Sequence, residues 1–109
     1  MNNQVEFILS DDFNWIEYEK DVYKKIINTS MPVKVIWDLR KMMKLPSFDI
    51  IIKQINLLKK ERTSIKNNIT NNTIIVSSYR NKFFLLWIFK YIYTPENKTT
   101  IYTEKEWNK

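Results

Sequence analysis

The chain reads as a single α/β domain: a small single-layer sheet of about four mostly parallel strands with three helices. Three observations carry that reading. Short alternating or continuous apolar stretches at 4–9, 33–38 and 73–77 are separated by longer stretches with helical periodicity. A last short threonine-rich stretch, 99–103, follows the third of these. At 109 residues, the chain is long enough to bury one core, and it contains no composition break that marks a second domain.

Val5, Phe7 and Leu9 alternate with polar neighbours, which predicts a first strand; Ser10-Asp11-Asp12 then supplies a turn and a helix cap. The spacing predicts a helix from Phe13 to Ile27, with Ile16, Val22, Tyr23, Ile26 and Ile27 facing the core. Its Glu17 and Asp21 come early and Lys24-Lys25 late, the order that the helix dipole favours. Met31-Pro32 closes the connection, since proline cannot continue a helix.

Val33, Val35 and Trp37 alternate with Lys34, Ile36 and Asp38 in the central strand, where β-branched and aromatic side chains suit a pleated surface. Leu39 to Pro46 reads as a charged loop. Ser47 is placed to cap a helix running to Lys66, with Asp49 in its first turn and Phe48, Ile51, Ile52, Ile55, Leu58 and Ile65 on its apolar face. A polar, asparagine-rich loop at 67–72 leads to the strand Thr73–Ser77, whose continuous apolar character fits a sheet covered on both faces. After a turn at 78–81, the run from Phe83 opens a helix that continues through Tyr93 and ends at Thr94-Pro95. Thr99–Thr103 is an edge strand, and Glu104 to Lys109 is a terminal turn of helix with Trp107 tucked back. Trp37, Ile75 and Ile52 are expected to share one core.

Composition narrows the chemistry. The chain has no cysteine, no histidine and no glycine. Thiolate chemistry, imidazole general bases and glycine-rich phosphate loops are therefore excluded, the last because such loops need backbone without a Cβ. No enzyme activity and no cofactor are expected. No basic-then-apolar leader and no membrane-length apolar run occur, which points to a cytoplasmic protein without membrane attachment. The net charge of +6 is uneven: residues 1–38 hold 4 basic and 7 acidic groups, and residues 39–109 hold 14 and 5. Such asymmetry can mark a surface for nucleic acid. Lysine outnumbers arginine 15 to 3, however, which follows A/T-rich codon usage more closely than selection for phosphate recognition.

The strand ending in Asp38-Leu39, the loop, the helix opened by Ser47, the apolar strand at 73–77 and the short final strand together resemble the STAS-like family, that of the anti-sigma factor antagonists and SpoIIAA-like domains. The resemblance spans roughly residues 4 to 107. It implies a non-enzymatic regulatory domain that binds another protein, with Ser47 at the position where that family can carry a phosphorylation switch. The family's acidic residue before that serine is Pro46 here, and Phe48-Asp49 replaces its following glycine.

Four groups of residues are candidates for function. Ser47 is a phosphosite or a plain helix cap; phosphate there would meet a helix N-terminus near Arg40, Lys41 and Lys44. Asp11, Asp12 and Asp38, if gathered at the carboxyl ends of adjacent parallel strands, would resemble a receiver-like Mg²⁺ phospho-aspartate pocket. The aromatic helix divides into one face with Phe84, Trp87, Ile88 and Tyr91 and another with Phe83, Leu86, Phe89 and Tyr93; the second either packs on a neighbouring helix or is the contact surface for another protein or a second copy of the chain. Arg40, Lys41, Lys44, Arg80 and Lys82 are expected to form a basic rim, solvated or docking nucleic acid.

Overall fold

The computed structural model describes residues 3–108. Four strands, β1 (Gln4–Ser10), β2 (Val33–Lys41), β3 (Ile69–Val76) and β4 (Thr99–Thr103), form one sheet in the order β1-β2-β3-β4, with every pairing parallel. Parallel neighbours need a crossover between them, and helices supply each one. These are α1 (Trp15–Val22), continued by a π-helical turn at Tyr23–Ile27; α2 (Phe48–Lys60) and α3 (Arg62–Asn68); and α4 (Tyr79–Tyr91). A short α5 (Glu104–Trp107) follows β4.

The core lies between the helices and one face of the sheet. Val5, Phe7, Val35 and Trp37 pack against Tyr18, Val22 and Ile26 of the first helical segment. Phe7 pairs with Trp37 across the β1–β2 ladder, and their rings stack at 4.8 Å. On the β3–β4 side, Ile74, Val76 and Ile101 meet Leu85 and Phe89 of α4. Asp38, Ile75 and Tyr102 share a register across β2, β3 and β4 and point to the opposite face, where Trp107 of α5 turns its ring to within 5.5 Å of Tyr102.

Trp37, Ile75 and Ile52 therefore do not share one core. Trp37 pairs with Ile74, which places Ile75 on the other side of the sheet, and Ile52 packs in a separate cluster with Ile55, Ile88 and Tyr93.

Three further expectations shift. The first helix starts at Trp15, capped by the Asn14 side chain accepting from the Glu17 amide at 3.1 Å, and not by Ser10-Asp11-Asp12. Its Ile16 is exposed while Tyr18 is buried. The helix expected to run unbroken from Ser47 to Lys66 divides at Glu61, whose amide closes α2 on Leu57 while its carbonyl opens α3 by accepting from Ile65. That break sends Ile65 into the core beside α1, whereas Ile55 of α2 packs with α4; Phe48 stays exposed. Finally, the asparagine-rich stretch is not a loop. Thr70, Asn71 and Asn72 follow Ile69 in β3: Thr70 is an extra residue in the ladder whose hydroxyl donates to the Val33 carbonyl at 3.3 Å, Asn71 and Asn72 pair with Lys34 and Val35, and Asn72 Oδ1 accepts from Trp37 Nε1 at 3.0 Å, while Asn71 Oδ1 is buried without a partner.

Without glycine, the chain makes all its described turns at negative φ. Helix ends must then find acceptors' partners elsewhere than in a left-handed cap. The π turn is one example: Asn68, at the end of α3, donates its amide to the carbonyls of Ile26 and Ile27 at 3.1 and 3.0 Å.

Candidate functional site

Helix α4 starts at Ser78, whose hydroxyl accepts from the Asn81 amide at 3.3 Å. The Asn81 side chain donates to Ser77 Oγ, which in turn donates to the Met42 carbonyl. These bonds tie the first turn of α4 to the loop after β2. Asn81 faces inward with Leu85, Ile88, Phe89 and Ile92, whose packing in the core fixes the same rotation of the helix.

The residues left outside are large and aromatic. Phe83 is 63 % exposed, Trp87 49 % and Tyr91 64 %, and Tyr79, Phe84 and Leu86 are exposed with them. Several rings lie on one another: Tyr79 with Phe83 at 6.2 Å, Phe84 with Trp87 at 6.4 Å and Trp87 with Tyr91 at 5.9 Å. Lys90 Nζ stands 5.2 Å from the Tyr91 ring centre. The excess apolar face expected for this helix is present, but half of its expected members change places. Phe83 and Leu86 are on it. Phe89 packs inward and Tyr93 is only 9 % exposed, its hydroxyl pushed towards higher pKa first by burial and then by Glu96. Phe84, Trp87 and Tyr91 take the outward positions. The polar Asn81 is the member of the inward stripe that hid the true phase of the helix.

The basic rim is divided. Arg40 is folded back on Asp38: its Nη2 and Nε donate to the two carboxylate oxygens at 2.7 and 3.0 Å, and its own amide donates to Oδ1 at 3.1 Å. The β1–β2 ladder is irregular at this point, with one extra residue of β2 between the pairs Ile8–Asp38 and Ser10–Lys41. Lys82 is held by Glu106 at 2.8 and 3.1 Å. Hydrogen bonds from Lys82 first, and then from the Thr103 amide of the α5 capping box, keep the Glu106 carboxyl below its usual range. Two cations of the five are thus engaged in ion pairs within the chain. Lys44 and Arg80 instead line one shallow groove with Met43 and Phe84, beside the exposed face of α4, and Lys41 is exposed.

Ser47 is exposed and stands immediately before α2, but its hydroxyl makes no capping bond. The helix is entered through the Ser47 carbonyl, which accepts from the Ile51 amide at 3.1 Å. Asp11, Asp12 and Asp38 do not converge. Among the described residues no three acidic side chains are placed to share a cation, and Asp38 is bound to Arg40, which holds its carboxyl below the usual range. Also among the described residues, no helix is long and apolar enough to cross a membrane.

A second feature had no signal in the sequence. An apolar pocket of about 170 Å³, partly open to solvent, lies between α2 and the sheet, with Trp37, Leu39, Ile74, Ile51 and Leu58 in its lining. Its existence depends on how far α2 stands from the strands, which periodicity along the chain does not encode. No family model, curated protein or solved structure matches this chain.

Proposed function

We infer that the protein is a non-enzymatic interaction domain of STAS-like type that docks a partner protein on the exposed face of α4. The observation that carries this reading is the contiguous aromatic surface of Phe83, Phe84, Trp87 and Tyr91 on a helix whose opposite side already fills the core. Large exposed apolar patches on soluble domains mark interaction sites, and tryptophan and tyrosine are the residues that dominate binding energy there. The absence of histidine and cysteine removes the groups that most often carry catalysis, which supports a binding role.

Charge selects the occupant. Helix α4 has no acidic residue and carries Arg80 and Lys90 beside the already paired Lys82, with Lys44 alongside. A second copy docked face to face would oppose cation to cation. The surface suits a different protein that presents apolar side chains within an acidic border, with electrostatics steering the encounter and the rings holding the complex. Ser47, free of a capping role, is placed where the resemblance puts a regulatory phosphate.

Capture from the native host with the wild-type chain and with a Phe83→Ser/Trp87→Ser variant tests this reading. Both positions are exposed, so the variant should melt within a few degrees of the wild type. It should lose a captured partner, with affinity for that partner, once purified, falling at least about 30-fold. Equal capture by both chains would remove the α4 face from consideration. Binding to single-stranded RNA that falls steeply with salt and needs Trp87 would move the face to the nucleic-acid reading, in which bases stack on the rings.

A further inference from the structure

We propose that two copies of the chain dimerise through the free edge of β1, pairing β1 with β1 antiparallel about a two-fold axis and joining their four-stranded sheets into one.

The outer side of β1 carries unpaired backbone groups. The Lys34 amide donates to the Asn3 carbonyl at 2.9 Å, which fixes the alternation along the ladder: Val5 and Phe7, like Asn3, turn their backbone groups to β2. Gln4, Glu6 and Ile8 therefore aim their amides and carbonyls away from the sheet. No strand lies on that side, and no backbone bond from the described residues reaches those groups. The chain turns away only at Ser10, whose carbonyl accepts from the Phe13 amide at 3.0 Å.

Edge strands are ordinarily blunted by lysine, proline or a bulge, because a bare edge pairs with other chains. β1 has seven residues, no lysine and no proline, and Glu6 is its one charge. The irregularity of the ladder places its extra residue in β2 and leaves β1 regular. The other edge differs: β4 is five residues long and gives way at once to α5.

Register and charge select a second copy as the occupant. Self-pairing must set outward-facing residues opposite one another. Centred on Phe7, the whole of β1 pairs with itself: Glu6 meets Ile8 of the second copy and Gln4 meets Ser10, each reciprocally. A register centred on Glu6 would oppose carboxylate to carboxylate, and one centred on Val5 or Ile8 would leave part of the strand unpaired. In the Phe7 register Val5 lies opposite Leu9 on the core side, and Ile8, 56 % exposed, gains a cross-strand neighbour. Glu6 keeps its water, because α1 to α4 pack on the sheet face that holds Val5 and Phe7. The axis stands normal to the sheet, so the helices of both copies lie on one side. Each α4, over β3 and β4, is then far from the junction and free for its own partner.

Sedimentation equilibrium of the full chain tests the proposal. A strand pair is smaller than a standard interface, so at about 100 µM the mass is expected to be twice the 13.4 kDa of one chain and to fall on dilution. Amide hydrogen exchange at Glu6 and Ile8 should slow as concentration rises. Glu6→Pro removes an outward N–H and no bond to β2, so it should fold and stay monomeric. Ile8→Glu sets a carboxylate opposite Glu6 twice over, and should weaken association at least about tenfold. Ile8→Lys meets the same Glu6 and should keep the dimer; this pair of variants decides the matter if Glu6→Pro does not fold. The Phe83→Ser/Trp87→Ser variant should remain dimeric. A wild type still monomeric at about 200 µM, a folded Glu6→Pro variant that dimerises, equal effects of Ile8→Glu and Ile8→Lys, or loss of the dimer in the α4 variant would each overturn the proposal.

Discussion

Phe7→Ala is expected to lower the free energy of unfolding by about 3–5 kcal/mol, the usual cost of emptying a buried aromatic site. Phe7 is 4 % exposed and joins three elements at once. Its ring stacks on Trp37 of β2, meets the edge of Tyr18 of α1 at 5.8 Å and lies under Lys25 Nζ at 5.6 Å. Tyr18 continues the cluster to Phe13 and Trp15 at 5.3 Å each. Removing Phe7 takes away the floor of this cluster, and β1 is an edge strand with no second neighbour to hold it. A domain of this size has only about 5–15 kcal/mol to lose. The midpoint of urea unfolding reads the effect directly. A loss below about 1 kcal/mol would mean that β1 and α1 contribute little to the cooperative fold.

Arg40→Ala is the second large effect, expected to cost about 2–3 kcal/mol near neutral pH. The Asp38 side chain is almost wholly buried, and the Arg40 side chain, about a third exposed, covers it with a two-pronged ion pair. Without the guanidinium, the carboxylate keeps only the residue 40 amide as a partner. The sign of the pH dependence follows from the direction of the shift. Arg40 lowers the Asp38 pKa in the folded chain, chiefly through the side-chain hydrogen bond. The stability this provides is therefore fully present above the ordinary carboxylate range and is lost as pH falls through the lower folded value. The deficit of Arg40→Ala should narrow as pH drops below about 4, because protonation of Asp38 removes the reason for the pair. In an Asp38→Asn background the same substitution should cost far less at neutral pH. A deficit that is constant from pH 7 to pH 3 would show that Arg40 acts through packing of its aliphatic stem.

The strands were legible wherever side-chain period and burial agree. Val33–Asp38 and Thr99–Thr103 lie where alternation and threonine content place them, and the all-parallel character follows from helices recurring between strands. The first half of β3 was not legible, because Thr70, Asn71 and Asn72 carry the composition of a loop. Their place in the sheet comes from the pairing of Ile69, Asn71 and Asn72 with β2 on one side and, at Asn72, with β4 on the other. The division at Glu61 has the same character: local propensity there allows a helix to continue, and only the two separate packing surfaces of Ile55 and Ile65 require it to stop.

The candidate face shows where the boundary between sequence and structure lies. Ten large apolar residues within 83–93 exceed what one side of a helix on a four-stranded sheet can bury, and counting residues was enough to establish that some must remain outside. Which ones was decided by tertiary contacts, the packing of Leu85, Ile88 and Phe89 together with the bonds from Asn81 to Ser77 and from Ser77 to Met42, since the rotation of a helix about its axis is set by contacts distant in sequence. Likewise, composition alone removed thiolate, imidazole and glycine-loop chemistry. The pairing of Arg40 with Asp38 and of Lys82 with Glu106, which takes two cations from the basic rim, and the space beneath α2 arise only when separate elements are brought together, because both depend on distances that no local pattern contains.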